Sequence, residues 1–195
     1  AGSEGDDERV ARLNNHSRQA SGILKLGWKP SKYVEIKMLE LVMARLSGVP
    51  GLGVTQTSQT QYERIRGLTG LSLRWQPRES DWKLALASHV SYGQSELQNP
   101  LGEVALARGS FQDEALAVGT RATVDGMLED TLFPSMDLMP QLVAELRYER
   151  FTPDAAMVRV TPSQRLFANA GLSLRSYVDS LGLETMAALR YEHAR

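Results

Sequence analysis

"WKLALASHVSYG", residues 82–93, alternates without a break. Trp82, Leu84, Leu86, Ser88, Val90 and Tyr92 form one set; Lys83, Ala85, Ala87, His89, Ser91 and Gly93 form the other. Period two is the signature of a strand whose faces meet different surroundings. One face is apolar with an aromatic at each end, and its opposite is small, polar or basic. Two environments produce this pattern: a half-buried strand of a soluble sheet, or a membrane-barrel strand with its apolar side in lipid.

The rest of the chain narrows the choice. Its 195 residues suit one domain and carry 22 basic and 23 acidic side chains, net charge −1. No field drives such a chain towards nucleic acid, and no dense basic patch with interleaved aromatics is present. No run approaches the roughly 20 apolar residues of a membrane helix, but that test is blind to barrels, whose signal is alternation alone. Cysteine is absent, which removes disulfides, thiol catalysis and cysteine-ligated metal.

Residues 1–21 read as a polar tail or a lumen or linker helix, helical from about Asp6 to Gln19. From residue 22 to 195, period-two segments alternate with turn chemistry. Candidate strands are 22–29, 33–46, 62–76, 82–93, 103–111, 114–125, 140–151, 155–161, 167–178 and 182–193, with turns at "PSK", "QPRESD", "QDE", "TPD" and "DSLG". The stretch "YVEIKMLELVMARL" (33–46) also fits a short amphipathic helix, because Val34, Met38, Leu41 and Val42 share a helical face.

Two features favour lipid. Aromatics gather at strand ends, with Trp28, Trp75, Trp82, Tyr92, Tyr148, Phe151, Tyr177 and Tyr191 as a candidate girdle. A membrane barrel places aromatics at its interfaces and fills the middle with aliphatic residues. Moreover, the polar faces mix both signs: Arg64, Arg66, Arg74, His89, Arg121, Glu145, Arg147, Glu149, Arg175, Arg190 and Glu192 are candidate lumen-lining residues. The expected fold is all-β, a transmembrane antiparallel barrel of about 8–12 strands. Closure would also remove exposed sheet edges.

Here the sequence resembles a known family. "GLSLRWQPRESDWKLALASHVSYGQSEL" (70–97) is similar to a strand–turn–strand of the autotransporter β-domain. "LFPSMDLMPQLVAELRYERF" (132–151) and "LFANAGLSLRSYVDSLGLETMAALRYEH" (166–193) resemble its last strands, so the likeness spans roughly 62–193. It implies a barrel in the outer membrane of Gram-negative bacteria whose lumen holds a polar linker helix. An N-terminal passenger would reach the surface through that barrel or with its help. Implied partners are outer-membrane lipid and lipopolysaccharide, the barrel-assembly machinery and the passenger. Family barrels usually have twelve strands and a terminal aromatic, whereas eight to ten can be placed here and the sequence ends "YEHAR". They also keep the C-terminus periplasmic, which would put the tight turn "DSLG" outside, although short turns are normally periplasmic.

Catalytic and metal chemistry find little footing. His16, His89 and His193 are the only histidines, and no zinc-ligand spacing exists. "GVPGLGV" (48–54) lacks the lysine and helix start of a phosphate loop. No metal or cofactor is expected. His89 and Ser91 with Glu103 offer base, nucleophile and orienting carboxylate, similar in spacing to outer-membrane lipid A deacylases. Those enzymes work from the lipid-facing side near the C-terminal end, while His89 and Ser91 share the polar face mid-chain. Asn14–Asn15 matches in residue type the pair at which some autotransporters cleave themselves, but its surroundings do not. The leading expectation is therefore a membrane anchor and translocation pore. A lipid A deacylase-like esterase and a soluble β-rich binding domain are the alternatives.

Overall fold

The structure, a computed structural model, describes residues 13–50, 56–104, 108–129, 136–154, 163–178 and 181–195. Eight strands form one sheet: β1 Ser17–Ser31, β2 Val34–Gly48, β3 Gln61–Trp75, β4 Lys83–Asn99, β5 Gly109–Asp125, β6 Met136–Thr152, β7 Ser163–Val178 and β8 Leu183–Ala194. They follow one another as an antiparallel meander in chain order. No α-helix occurs among the described residues.

The register gives the sheet two unlike faces. One row runs Trp28, Ile36, Leu73, Leu86, Ala122, Ala144, Ala170, Tyr191 across all eight strands. The adjacent row, one residue along, runs Gly27, Lys37, Ser72, Ala87, Arg121, Glu145, Asn169, Glu192. Consecutive side chains point to opposite faces, so the whole sheet has an apolar face and a charged face. Large side chains of the apolar face are exposed: Leu71, Leu142 and Leu172 are 54%, 50% and 52% exposed. Phe111 and Leu138 are the only buried apolar residues among those described.

The charged face is concave. A cavity of about 620 Å³ is lined by Leu41 of β2, Arg66 of β3, Ser91 of β4, Ala117 of β5, Glu149 of β6 and Arg165 of β7. Six consecutive strands can share one cavity on that side only if the sheet curls around it. β1 and β8 each have a single partner strand and are exposed throughout.

Several elements differ from the sequence expectation. The segment 33–46 is strand, within β2: pairing on both sides with β1 and β3 overrides its residues' helical propensity. "QDE" is not a turn, because β5 runs straight through it. Its polar side chains are satisfied at an exposed strand end, with Gln112 Nε2 donating to Glu114 Oε1 at 3.3 Å and Asp113 accepting the Asp154 amide at 3.1 Å. β1 starts at Ser17, so the end of the expected helix, Ser17–Gln19, is extended; residues 6–12 and the expected strand 155–161 lie outside the described residues.

Candidate functional site

All eleven residues expected to line a lumen lie on the concave charged face, as their parity in the register dictates. Most of their charges are matched locally. Arg147 Nε sits 3.3 Å from Glu149 Oε1, and its guanidinium lies 4.6 Å from the centre of the Phe167 ring. Arg175 pairs with Glu184 at 3.1 Å, and Arg190 pairs with Glu192. Glu35 collects Lys29 at 3.2 Å, Lys37 at 3.1 Å and Arg74 at 4.0 Å.

The two walls differ in sign. On β1–β4 the charged face carries Lys25, Lys29, Lys37, Arg45, Arg64, Arg66, Arg74 and Lys83 against Glu35. On β5–β8 it carries Asp113, Asp125, Asp137, Glu145, Glu149, Glu184 and Glu192 among Arg121, Arg147, Arg165, Arg175 and Arg190. The curled sheet therefore has a basic half and a mixed, acid-rich half.

His89, Ser91 and Glu103 are not assembled into a catalytic set. The His89 ring lies over Gly119 on β5, close enough that a Cβ there would collide with it. Ser91 shares that face. Glu103 lies beyond the end of β4, and its amide donates to Asn99 Oδ1 at 2.8 Å. His89 to Asn99 is ten residues of strand, about 33 Å at the usual rise.

Glu103 instead clasps two connections. Oε1 accepts from the Ser58 amide (2.7 Å) and hydroxyl (2.6 Å), and Oε2 from the amides of Gln59 and Thr60, both at 3.0 Å. The Thr60 hydroxyl lies 2.8 Å from Oε2 and 3.1 Å from Asn99 Oδ1. Thr57, Thr60 and Asn99 are fully buried. Hydrogen bonds from the Ser58 hydroxyl and the Gln59 amide are the leading reasons that the Glu103 carboxyl is held down at about 2. The sequence reading missed this polar lock. Its partners stand 43 to 45 residues apart, and the only local sign is the Thr- and Ser-rich stretch "TSQT" (57–60).

The girdle divides. Trp28, Trp75, Tyr92, Tyr148 and Tyr191 lie on the apolar face, and the Trp82 ring covers Gly126 at the start of the β5–β6 connection. Phe151 and Tyr177 do not belong with them, because their parity puts both on the charged face. Tyr62, Phe111 and Phe167 join them there. Among the described residues, no group of three or more His, Asp or Glu could hold a metal ion. No protein-family model matches the chain, and no curated protein matches it significantly.

Proposed function

We propose that the chain is an outer-membrane β-barrel, an anchor and conduit for a passenger joined to its N-terminus, without catalysis of its own. The observation that carries this reading is the exposed apolar face. Leucine, valine and alanine side chains cover one side of eight strands, while the charged side faces a concavity. Soluble monomers rarely expose an apolar patch larger than several hundred Å², and a lipid phase removes that penalty.

The height of the band supports the same reading. On β4 the apolar row spans Trp82 to Tyr92, ten residues, or about 34 Å of strand. Tilted by the roughly 40° usual in such barrels, it stands about 25 Å tall, the height of the apolar belt of outer-membrane barrels. Trp28 and Trp75 mark one rim, and Tyr92, Tyr148 and Tyr191 the other. Polar groups inside the band are paired: Ser88 and Thr120 hydroxyls lie 2.9 Å apart, and Thr69 donates to Glu40 at 2.6 Å. Glu40, between Met38 and Val42 on the same face of β2, is an acidic side chain inside the band, and the Thr69 hydroxyl is its partner there.

Closure is the remaining step, and an even strand number favours it, because β1 and β8 are antiparallel to each other. Their pairing would satisfy the backbone groups that no lipid could. The charged face would then be the interior. The anchoring role rests on the resemblance over 62–193 and on the N-terminal segment leading directly into β1. Glu103, the carboxylate that the esterase alternative needs, lies at the far end of β4 from His89.

The test is behaviour in detergent. The purified chain should require detergent to stay monodisperse, and an unheated sample should migrate differently from a boiled one on a denaturing gel. A monodisperse monomer in plain buffer, with mobility independent of heating, would overturn the membrane reading.

A further inference from the structure

We propose that Arg45, Arg64 and Arg66, on the basic wall of the concave face, form a binding site for a phosphate-type oxyanion. Arg45 of β2 and Arg64 of β3 are direct cross-strand partners, and Arg66 is the next residue along β3 on the same face. Like charges placed directly opposite destabilise a strand pair. Among the described cations of this face, only Arg45 and Arg64 are direct cross-strand partners of like charge. Arg74, Arg147, Arg175 and Arg190 on this face each have a carboxylate within 4.0 Å. Among the described residues, none lies within that distance of the three arginines.

Their surroundings leave room for a ligand instead of a counter-charge. The cross-strand row through Arg45 and Arg64 continues to Gln19 on one side and Ser95 on the other. The next residue in that row, Asp113, stands two strands from Arg64, about 10 Å away, and its carboxylate accepts the Asp154 amide. The Arg66 stem passes over Gly93, whose missing side chain opens the 620 Å³ cavity that Arg66 lines. Glu149, which lines the same cavity, is already paired with Arg147.

The chemistry selects the ligand class. Guanidinium groups bind phosphate oxygens through paired, charge-assisted hydrogen bonds. Three of them without a nearby acid favour a multiply charged oxyanion over a monocarboxylate. A bound phosphate or pyrophosphate would supply the missing counter-charge and relieve the Arg45–Arg64 repulsion. The inference rests on the charged face itself and holds whether or not that face is a membrane-barrel interior.

Pyrophosphate titrated into the full chain in zwitterionic micelles tests it. The wild type should bind and unfold at a higher temperature with ligand present. R64Q and R45Q should each weaken binding by about tenfold or more, the loss of one charged hydrogen-bond partner. Without ligand the same variants should be at least as stable as wild type, because a like-charge contact has gone. R190Q, on β8, should bind within about twofold of wild type. Adding phosphatidylglycerol to the micelles should not compete if the ligand is a soluble oxyanion; competition would assign the site to lipid headgroups. No pyrophosphate binding by the folded wild type would overturn the inference. So would unchanged binding by R45Q and R64Q, or an equal loss with R190Q.

Discussion

Glu103 is best understood through its hydrogen bonds. Three backbone amides and two hydroxyls converge on one carboxylate, so the charged form is the one the fold requires. Its pKa falls from an ordinary 4.5 to about 2. A depressed carboxyl stabilises the fold fully above its unfolded pKa and loses that effect as pH drops through the folded one. The clasp should therefore be intact at pH 5 and above and should open between about pH 4.5 and 2. Protection of the Ser58, Gln59 and Thr60 amides against hydrogen exchange, corrected for intrinsic rates, should fall over that window while mid-strand amides stay protected. Glu103→Gln should produce the same local loss at neutral pH. Unchanged protection in that variant would mean that other groups hold the two connections. The sequence reading offers Glu103 as a carboxylate from the next segment, 103–111, to orient His89. A strand carries its ends far apart, and the true partners were invisible at that range.

A strand's identity lies in its parity, and parity was legible. The alternation in 82–93 separates Leu86 from Ala87, and the register puts them on opposite faces of β4. Leu86→Arg places a guanidinium in the apolar band, at a cost of roughly 2–4 kcal/mol near a bilayer midplane. Ala87→Arg adds the same group to a face that already carries Lys37, Arg121 and Glu145 in the same row, so its cost should be well under half as large. Reversible unfolding in lipid measures both. Equal destabilisation would contradict a sheet with one face in hydrocarbon and the other hydrated. Where the reading failed, it had followed something other than parity. Phe151 and Tyr177 joined the girdle for lying near strand ends, yet odd positions on β6 and β7 belong to the charged face. The polar run at 112–114 has turn chemistry where the alternation of apolar residues stops. β5 is 17 residues long, and its outer third is polar because it extends past the apolar band.

That extension gives the molecule two unlike ends. Next to the connections 32–33, 76–82 and 126–135, the apolar face begins at once with Trp28, Trp75 and Leu138. Towards the other end the same face turns polar, through Gln94, Glu96 and Gln98 on β4, Gln112 and Glu114 on β5, and Gln61 and Glu63 on β3. There the Glu103 clasp ties connections 49–60 and 100–108 together, and both β1 and β8 have their outer ends. Outer-membrane barrels keep short turns in the periplasm and let longer loops and strand extensions stand outside. The connections at the Glu103 end (49–60, 100–108 and 153–162) are longer on average than those at the other end (32–33, 76–82, 126–135 and 179–182). In the proposed membrane barrel the Glu103 end would therefore face outward, the reverse of the orientation the family resemblance implied for the C-terminal strand. In that orientation a segment joined to β1 would already be at the surface, so the anchoring half of the proposed function would stand and the conduit half would fall. Cysteine is absent from the chain, so single cysteines report sidedness cleanly. In intact cells a membrane-impermeant maleimide should label Leu101→Cys, in the 100–108 connection. It should miss Glu79→Cys, in the 76–82 turn, until the outer membrane is breached. The opposite pattern would place the tight turns outside, restore the family orientation, and require the N-terminal segment to cross the membrane by way of the charged interior.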